Sequence, residues 1–118
     1  MGNTYGKPIK PEDLLNIKYD ETSPTGLRFK VRTHANQNKD LIVGTHSDSD
    51  RHKCYNFNIN KSGYKCHRVV WYLVKGEDPL GYEIDHIDGN PWNNNITNLR
   101  KVLREINVRN AKKRHDNM

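Results

Sequence analysis

Residues 81–100 read GYEIDHIDGNPWNNNITNLR, and the rest of the chain is read outward from them. The stretch opens on an alternation, with Tyr82, Ile84 and His86 on one face and Glu83, Asp85 and Ile87 on the other. That is the period of a β-strand. Asp88-Gly89-Asn90-Pro91 then reads as a turn. Trp92 to Thr97 reads as an Asn-rich loop or one irregular helical turn, and Leu99 to Val102 as a second strand. Nowhere else in the chain do so many groups suited to metal and phosphate chemistry stand so close together.

The charge around this stretch is divided. Residues 81–97 carry Glu83, Asp85 and Asp88 and no Lys or Arg, whereas residues 98–118 carry seven bases against two acids. An acidic pocket beside a basic arm suits a cation bound next to a phosphate. The whole chain has a formal charge of +6 and a pI of about 9.4, which points to a polyanionic partner. Within the basic arm, the spacing of Leu103, Ile106, Asn107 and Asn110 predicts a helix over 103–113, and residues 114–118 read as a disordered tail.

Upstream, residues 1–18 read as a flexible lead-in in which Pro8 and Pro11 discourage regular structure, with a short helix starting at Pro11. Leu27 to Val31 alternates apolar and basic residues, as a strand with its basic face in solvent does. Leu41 to Gly44 reads as a second strand and Thr45 to Lys53 as a polar loop. Tyr55 to Ile59, a turn over Asn60 to Gly63 and a return through Tyr64 to Cys66 read as a hairpin. A helix is expected from about Arg68 to Lys75, ended by Gly76 and Pro79. Residues 19–80 are thus a small β-rich module with a helix, residues 81–113 a second unit, and the fold class is α+β.

With 118 residues, one domain with room for a small appended module is expected. A hydrophobic fraction of 33% and a mean hydropathy of -1.03 leave a thin core. No apolar run approaches the roughly 20 residues of a membrane span, and the start lacks the apolar centre of a signal peptide. A cytoplasmic protein without a membrane partner is expected. Cys54 and Cys66 are too few for a four-cysteine zinc site, and a disulfide is not expected in a reducing compartment, so both read as small, partly buried residues.

Hydrolysis of a phosphodiester needs a base to activate water and a cation to stabilise charge on the leaving oxygen. Histidine, with an ordinary pKa near ~6.5, suits the first, and Asp and Asn oxygens suit a hard divalent ion. Asp85, His86 and the asparagines around them supply these groups. A calcium loop is excluded because Asp85, Asp88, Gly89 and Asn90 lack the alternating ligand spacing of one.

The run DHIDGNPWNNNITNLR (85–100), followed by Asn107 and Asn110, resembles the HNH endonuclease family, and within it the free-standing and intron-associated, homing-type members common in phage. YDETSPTGLRFKVR (19–32), Val43-Gly44-Thr45 and HRVVWYLVKGEDPLGYEIDHIDGN (67–90) extend that likeness, so it covers roughly residues 19–110. The resemblance implies a ββα-metal motif in which His86 is the general base and Asp85 a metal ligand. It makes Asn98, twelve residues after His86, the asparagine that braces the histidine-bearing strand, and Asn107, twenty-one after it, a second metal ligand. One divalent ion per site is implied. An Asn rather than a His at 107 argues for Mg2+ or Mn2+, with Zn2+ and Ni2+ as alternatives.

His67 and Arg68 match the H-R pair of the family. Arg68 is expected to contact phosphate together with Arg100, Arg104, Arg109, Lys112 and Lys113, while His67, Asp88 and Asn110 give structural support. Asp88, Asn90 and Asn94 are read as turn builders. Two positions depart from the family pattern: Leu103 stands where members carry Thr, and Ile106 where they carry Glu. The expected function is a metal-dependent endonuclease that nicks or cuts double-stranded DNA, alone, as a homodimer or with an accessory phage protein. The alternative, favoured by Leu103 and Ile106, is a catalytically degenerate DNA-binding module. A third reading, RNA stacking on Tyr55, Phe57 and Tyr64, competes with their use as sheet core.

Overall fold

The computed structural model describes residues 8–35, 37, 39–48 and 53–103. The order of elements is β1 (Ile17–Tyr19), β2 (Leu27–Phe29), β3 (Thr45–Asp48), β4 (Lys53–Ile59), β5 (Ser62–Lys65), α1 (Cys66–Lys75), β6 (Tyr82–His86) and β7 (Leu99–Leu103), with 3-10 turns at Pro11–Leu14 and Ile96–Asn98. All strand pairs are antiparallel and fall into three sheets, β1-β2, β3-β4-β5 and β6-β7. The class is α+β. The upstream strands form two small sheets where the sequence reading has one.

Helix α1 is the centre of the packing. Cys66, Val69 and Val70 are fully buried, and the helix lies against β1, β4, β5, β6 and the Ile96–Asn98 turn. Ile17, Leu27, Val43, Ile84 and Leu99 close the core around it. The helix begins directly after β5 without a side-chain cap and ends at Gly76, whose φ of 71° lets its N–H bond the Tyr72 carbonyl at 3.0 Å.

Three segments differ from the sequence reading. Residues 9–18 are part of the packed unit: Ile9, Leu14 and Ile17 are buried and β1 pairs with β2. Burial of these three side chains outweighs the disruptive prolines, and Pro11 itself opens the 3-10 turn, where a missing N–H costs nothing. Residues 41–44 form a single bridge, Ile42 to Arg28, because Leu41 and Gly44 both take positive φ and break the ladder. The regular strand forms one step later, at Thr45–Asp48, within the segment read as a loop. Strand β2 stops at Phe29, short of Val31, which is 60% exposed.

The hairpin β4-β5 turns through Asn60 and Lys61, both at positive φ, the backbone of a tight two-residue turn. Below it Asp13 accepts from Tyr64 Oη at 2.6 Å and Asn60 Nδ2 at 2.8 Å, joining the N-terminal segment to the hairpin. These bonds, Asn60 first, hold the Asp13 carboxyl below its ordinary range, and burial followed by the Asp13 contact pushes Tyr64 up to about 12. The helix expected over 103–113 lies outside the described residues except at Leu103, which ends β7.

Gly44 is the tightest point of the scaffold: at φ +105° a Cβ would stand 2.6 Å from Cys66 Sγ at the start of α1. Gly44→Ala is expected to lower stability by about 2–4 kcal/mol through backbone strain and overpacking. A lower urea midpoint at constant m-value checks this.

Candidate functional site

The site is built on the β6-β7 hairpin and the twelve-residue connection between its strands. Register places Asp85 opposite Arg100 and His86 opposite Leu99. The pleat sends neighbours to opposite faces. His86 therefore turns toward α1, where its ring lies 5.0 Å from that of His67, and Asp85 turns to the other side. There Asp85 Oδ2 accepts from Arg100 Nε at 3.0 Å and Arg100 Nη2 at 2.9 Å.

The connection from Ile87 to Asn98 is tied by its asparagines. Asn98, 9% exposed, is its hub: Oδ1 accepts from Asp88 N at 3.0 Å, and Nδ2 donates to Asp88 Oδ1 and to the Asn93 carbonyl, each at 2.9 Å. Its carbonyl also accepts from Ile87 N, so both ends of the loop close on one residue. Asp88 accepts further from Asn90 N and Asn93 Nδ2, and these bonds, with that of Asn98, hold its carboxyl below the ordinary range. Asn90, Asn93 and Asn95 each accept from the backbone N–H two residues on, the Asx turns that such residues favour. Gly89, at φ 76°, closes the first turn onto the His86 carbonyl.

Asn94 behaves differently from its neighbours. It is 3% exposed and points inward. Its Oδ1 lies 2.7 Å from His86 Nε2, and its Nδ2 donates to the Thr25 carbonyl at 2.9 Å. The turn-building role read from sequence is corrected: the flanking Asn93 and Asn95 build the turns, and Asn94 reaches across to the histidine. The alternation within Asn93-Asn94-Asn95 is the only sequence signal that could have separated them.

Arg68 also needs correction. It is 3% exposed, and its guanidinium donates to the Tyr82 carbonyl at 2.6 Å and the Pro79 carbonyl at 2.9 Å. It ties α1 to the segment entering β6 and is not placed to contact phosphate. His67, next to it, is half-buried, and its Nδ1 finds no hydrogen-bond partner among the described residues. Burial first, then the neighbouring His86, Lys65 and Arg68, push its pKa well down, so a neutral ring faces His86.

A divalent ion would find one hard oxygen ligand here, Asp85, and would compete with the Arg100 guanidinium for it. Among the described residues no three His, Cys, Asp or Glu side chains converge on a metal position. A magnesium site that keeps most of its waters needs only one or two protein carboxylates, so the donor chemistry of Asp85 fits such an ion as a single ligand. Asn107, Arg104, Arg109, Asn110, Lys112 and Lys113 lie outside the described residues.

Sequence reading also missed an aromatic contact that seats the loop. Trp92 packs on the three-stranded sheet, with ring centroids 4.8 Å from His46 and 5.1 Å from Tyr55. Phe57 and Tyr64 stack on each other at 5.4 Å, and both pack on the core, the use that competes with RNA stacking.

A family model described as HNH endonuclease matches residues 64–109. Protein 3.8 of Escherichia phage T7 is 50% identical over 46 residues, which are 39% of this chain and 38% of that protein. No solved structure matches the chain. No helix of the described residues is long and apolar enough to cross a membrane.

Arg68→Met is expected to cost about 1.5–3 kcal/mol of stability, the range for hydrogen bonds to a charged group. A lower urea midpoint at constant m-value checks this.

Proposed function

We propose that the chain, whose residues 64–109 match a family model described as HNH endonuclease, hydrolyses phosphodiester bonds of double-stranded DNA, with His86 as the general base. The observation that carries this reading is the placement of His86 at the end of β6, held by Asn94 beside a loop closed on Asn98. A general base works when its ring is fixed within reach of the attacking water.

In the proposed reaction His86 takes a proton from water as the water oxygen bonds to phosphorus. The bond from phosphorus to the 3′-oxygen breaks, and that oxygen takes up a proton from solvent, leaving 5′-phosphate and 3′-hydroxyl ends. Asp85 and Asn107 would hold one divalent ion, Mg2+ or Mn2+, which supplies stabilisation of the charge on the leaving oxygen. Asn98 acts on the frame: it fixes the strand ends between which His86 is presented. Arg100 is half-exposed beside Asp85 and would meet the DNA backbone there, and Arg104, Arg109, Lys112 and Lys113 follow it in the sequence. A single centre cuts one strand at a time, so a double-strand break requires a second copy, a second encounter or an accessory phage protein. The T7 relative supports a setting in a phage-infected cell.

A second reading is a DNA-binding module without cleavage. The Asp85–Arg100 ion pair favours it, since it neutralises the carboxylate that a cation would need.

Supercoiled plasmid incubated with Mg2+, Mn2+, Zn2+ or Ni2+ separates the two. The nuclease reading expects metal-dependent nicked or linear product, and a drop of at least about 100-fold for His86→Ala with DNA binding retained. Equal cutting by His86→Ala would refute His86 as the base, and binding without nicking in every metal would select the second reading.

A further inference from the structure

We infer that Asn94, anchored on the carbonyl of Thr25, is a positioning residue that selects the protonated nitrogen of His86. The inference deepens the nuclease reading and rests on it. It also brings residues 20–27, outside the family-matched segment, into the working of the site.

The argument is one of hydrogen-bond polarity. The Thr25 carbonyl can only accept, so the Asn94 atom 2.9 Å from it is the amide nitrogen. The other end of the amide, 2.7 Å from His86 Nε2, is then the oxygen, which also can only accept. Nε2 must therefore carry the proton. In the neutral ring Nδ1 is left with its lone pair, and that nitrogen is the one able to take a proton from water. A free imidazole has both tautomers to choose from; here one is fixed by a backbone carbonyl six residues beyond β1.

The chain is built to hold that carbonyl in place. Thr25 is 1% exposed, and its hydroxyl donates to the Val43 carbonyl at 2.6 Å while accepting from Leu27 N at 3.2 Å. Gly26 brings the hairpin close: a Cβ at this position would stand 3.3 Å from Asn94 Cβ and 2.9 Å from Val70 Cγ2. A short rigid path thus runs from the β1-β2 turn through Asn94 to the histidine ring. Truncating Asn94 removes the acceptor for Nε2–H and strands the Thr25 carbonyl, while Asn98 and its bonds to the loop are untouched.

The test uses the full chain labelled with 15N, with the His86 ring signals identified by their loss in His86→Ala. Long-range 1H–15N correlation spectra of the free protein are expected to show the Nε2–H tautomer in the wild type. In Asn94→Ala the Nδ1–H form should appear, and the plasmid-cleavage kcat should fall roughly 10–100-fold, the range for an outer partner of a working histidine, with DNA affinity unchanged. Asn94→Asp keeps an acceptor for Nε2–H and is expected to keep the tautomer. A purely structural role for Asn94 would not move the tautomer. An Nδ1–H ring in the wild type, or an unchanged tautomer and rate in Asn94→Ala, would overturn the inference. Should Asn94→Ala fail to fold, the wild-type spectrum alone decides. A wild type that never cuts DNA would refute the nuclease reading, and the spectrum would still report whether Asn94 sets the ring.

Discussion

A buried amide must find its partners, and Asn98 finds them at both ends of the loop that separates β6 from β7. Its side chain makes three hydrogen bonds to Asp88 and Asn93, and its carbonyl takes the N–H of Ile87. Leaving one such group unpaired costs about 1–3 kcal/mol, so the loop has little freedom to adopt another path. The position of His86 follows from this constraint. The strand that carries it is registered against β7, and the residues that follow it are closed on a single point. The rest of the site is built onto that frame: Asn93 and Asn95 form Asx turns, and Asn94 between them faces inward to His86 and Thr25.

The frame is in turn fixed to the body of the protein by α1. Val69 and Val70 supply the apolar face, and Arg68 supplies a polar one, binding the carbonyls of Pro79 and Tyr82 just where the chain enters β6. Burying a guanidinium is costly unless its donors are used, and here backbone carbonyls use them. The second attachment is aromatic, through Trp92 on His46 and Tyr55, and the third is polar, through the Tyr19 hydroxyl on Ile96 N and the Thr25 carbonyl on Asn94. Residues far upstream of the family-matched segment thereby hold its loop.

The parts of this arrangement that were legible in sequence share a local cause. The alternation of Tyr82 to His86, the turn chemistry of Asp88-Gly89 and the Gly76 stop of α1 all depend on neighbours a few residues away. What was not legible depends on contacts across the chain. Arg68 resembles any basic residue on a helix until Pro79 and Tyr82 are brought to it. The prolines near the N-terminus spoke for a loose segment, yet Ile9, Leu14 and Ile17 are buried because the core offers them a place. Leu41 to Gly44 had the composition of a strand, and only the positive φ at Leu41 and Gly44 moves the regular ladder to Thr45. Asn94 could not be told from the four other asparagines in the same stretch by type; its distinction is the direction it faces.

The central claim is that DNA is cut at the end of the β6-β7 hairpin where His86 follows Asp85. The most direct measurement is a crystal structure of the full chain on duplex DNA with Ca2+ in place of a cleavage-supporting ion. The account predicts a phosphate over His86, within reach of its Nδ1 through one water, with the cation at Asp85. A duplex lying on another face, with no phosphate near His86, would contradict it.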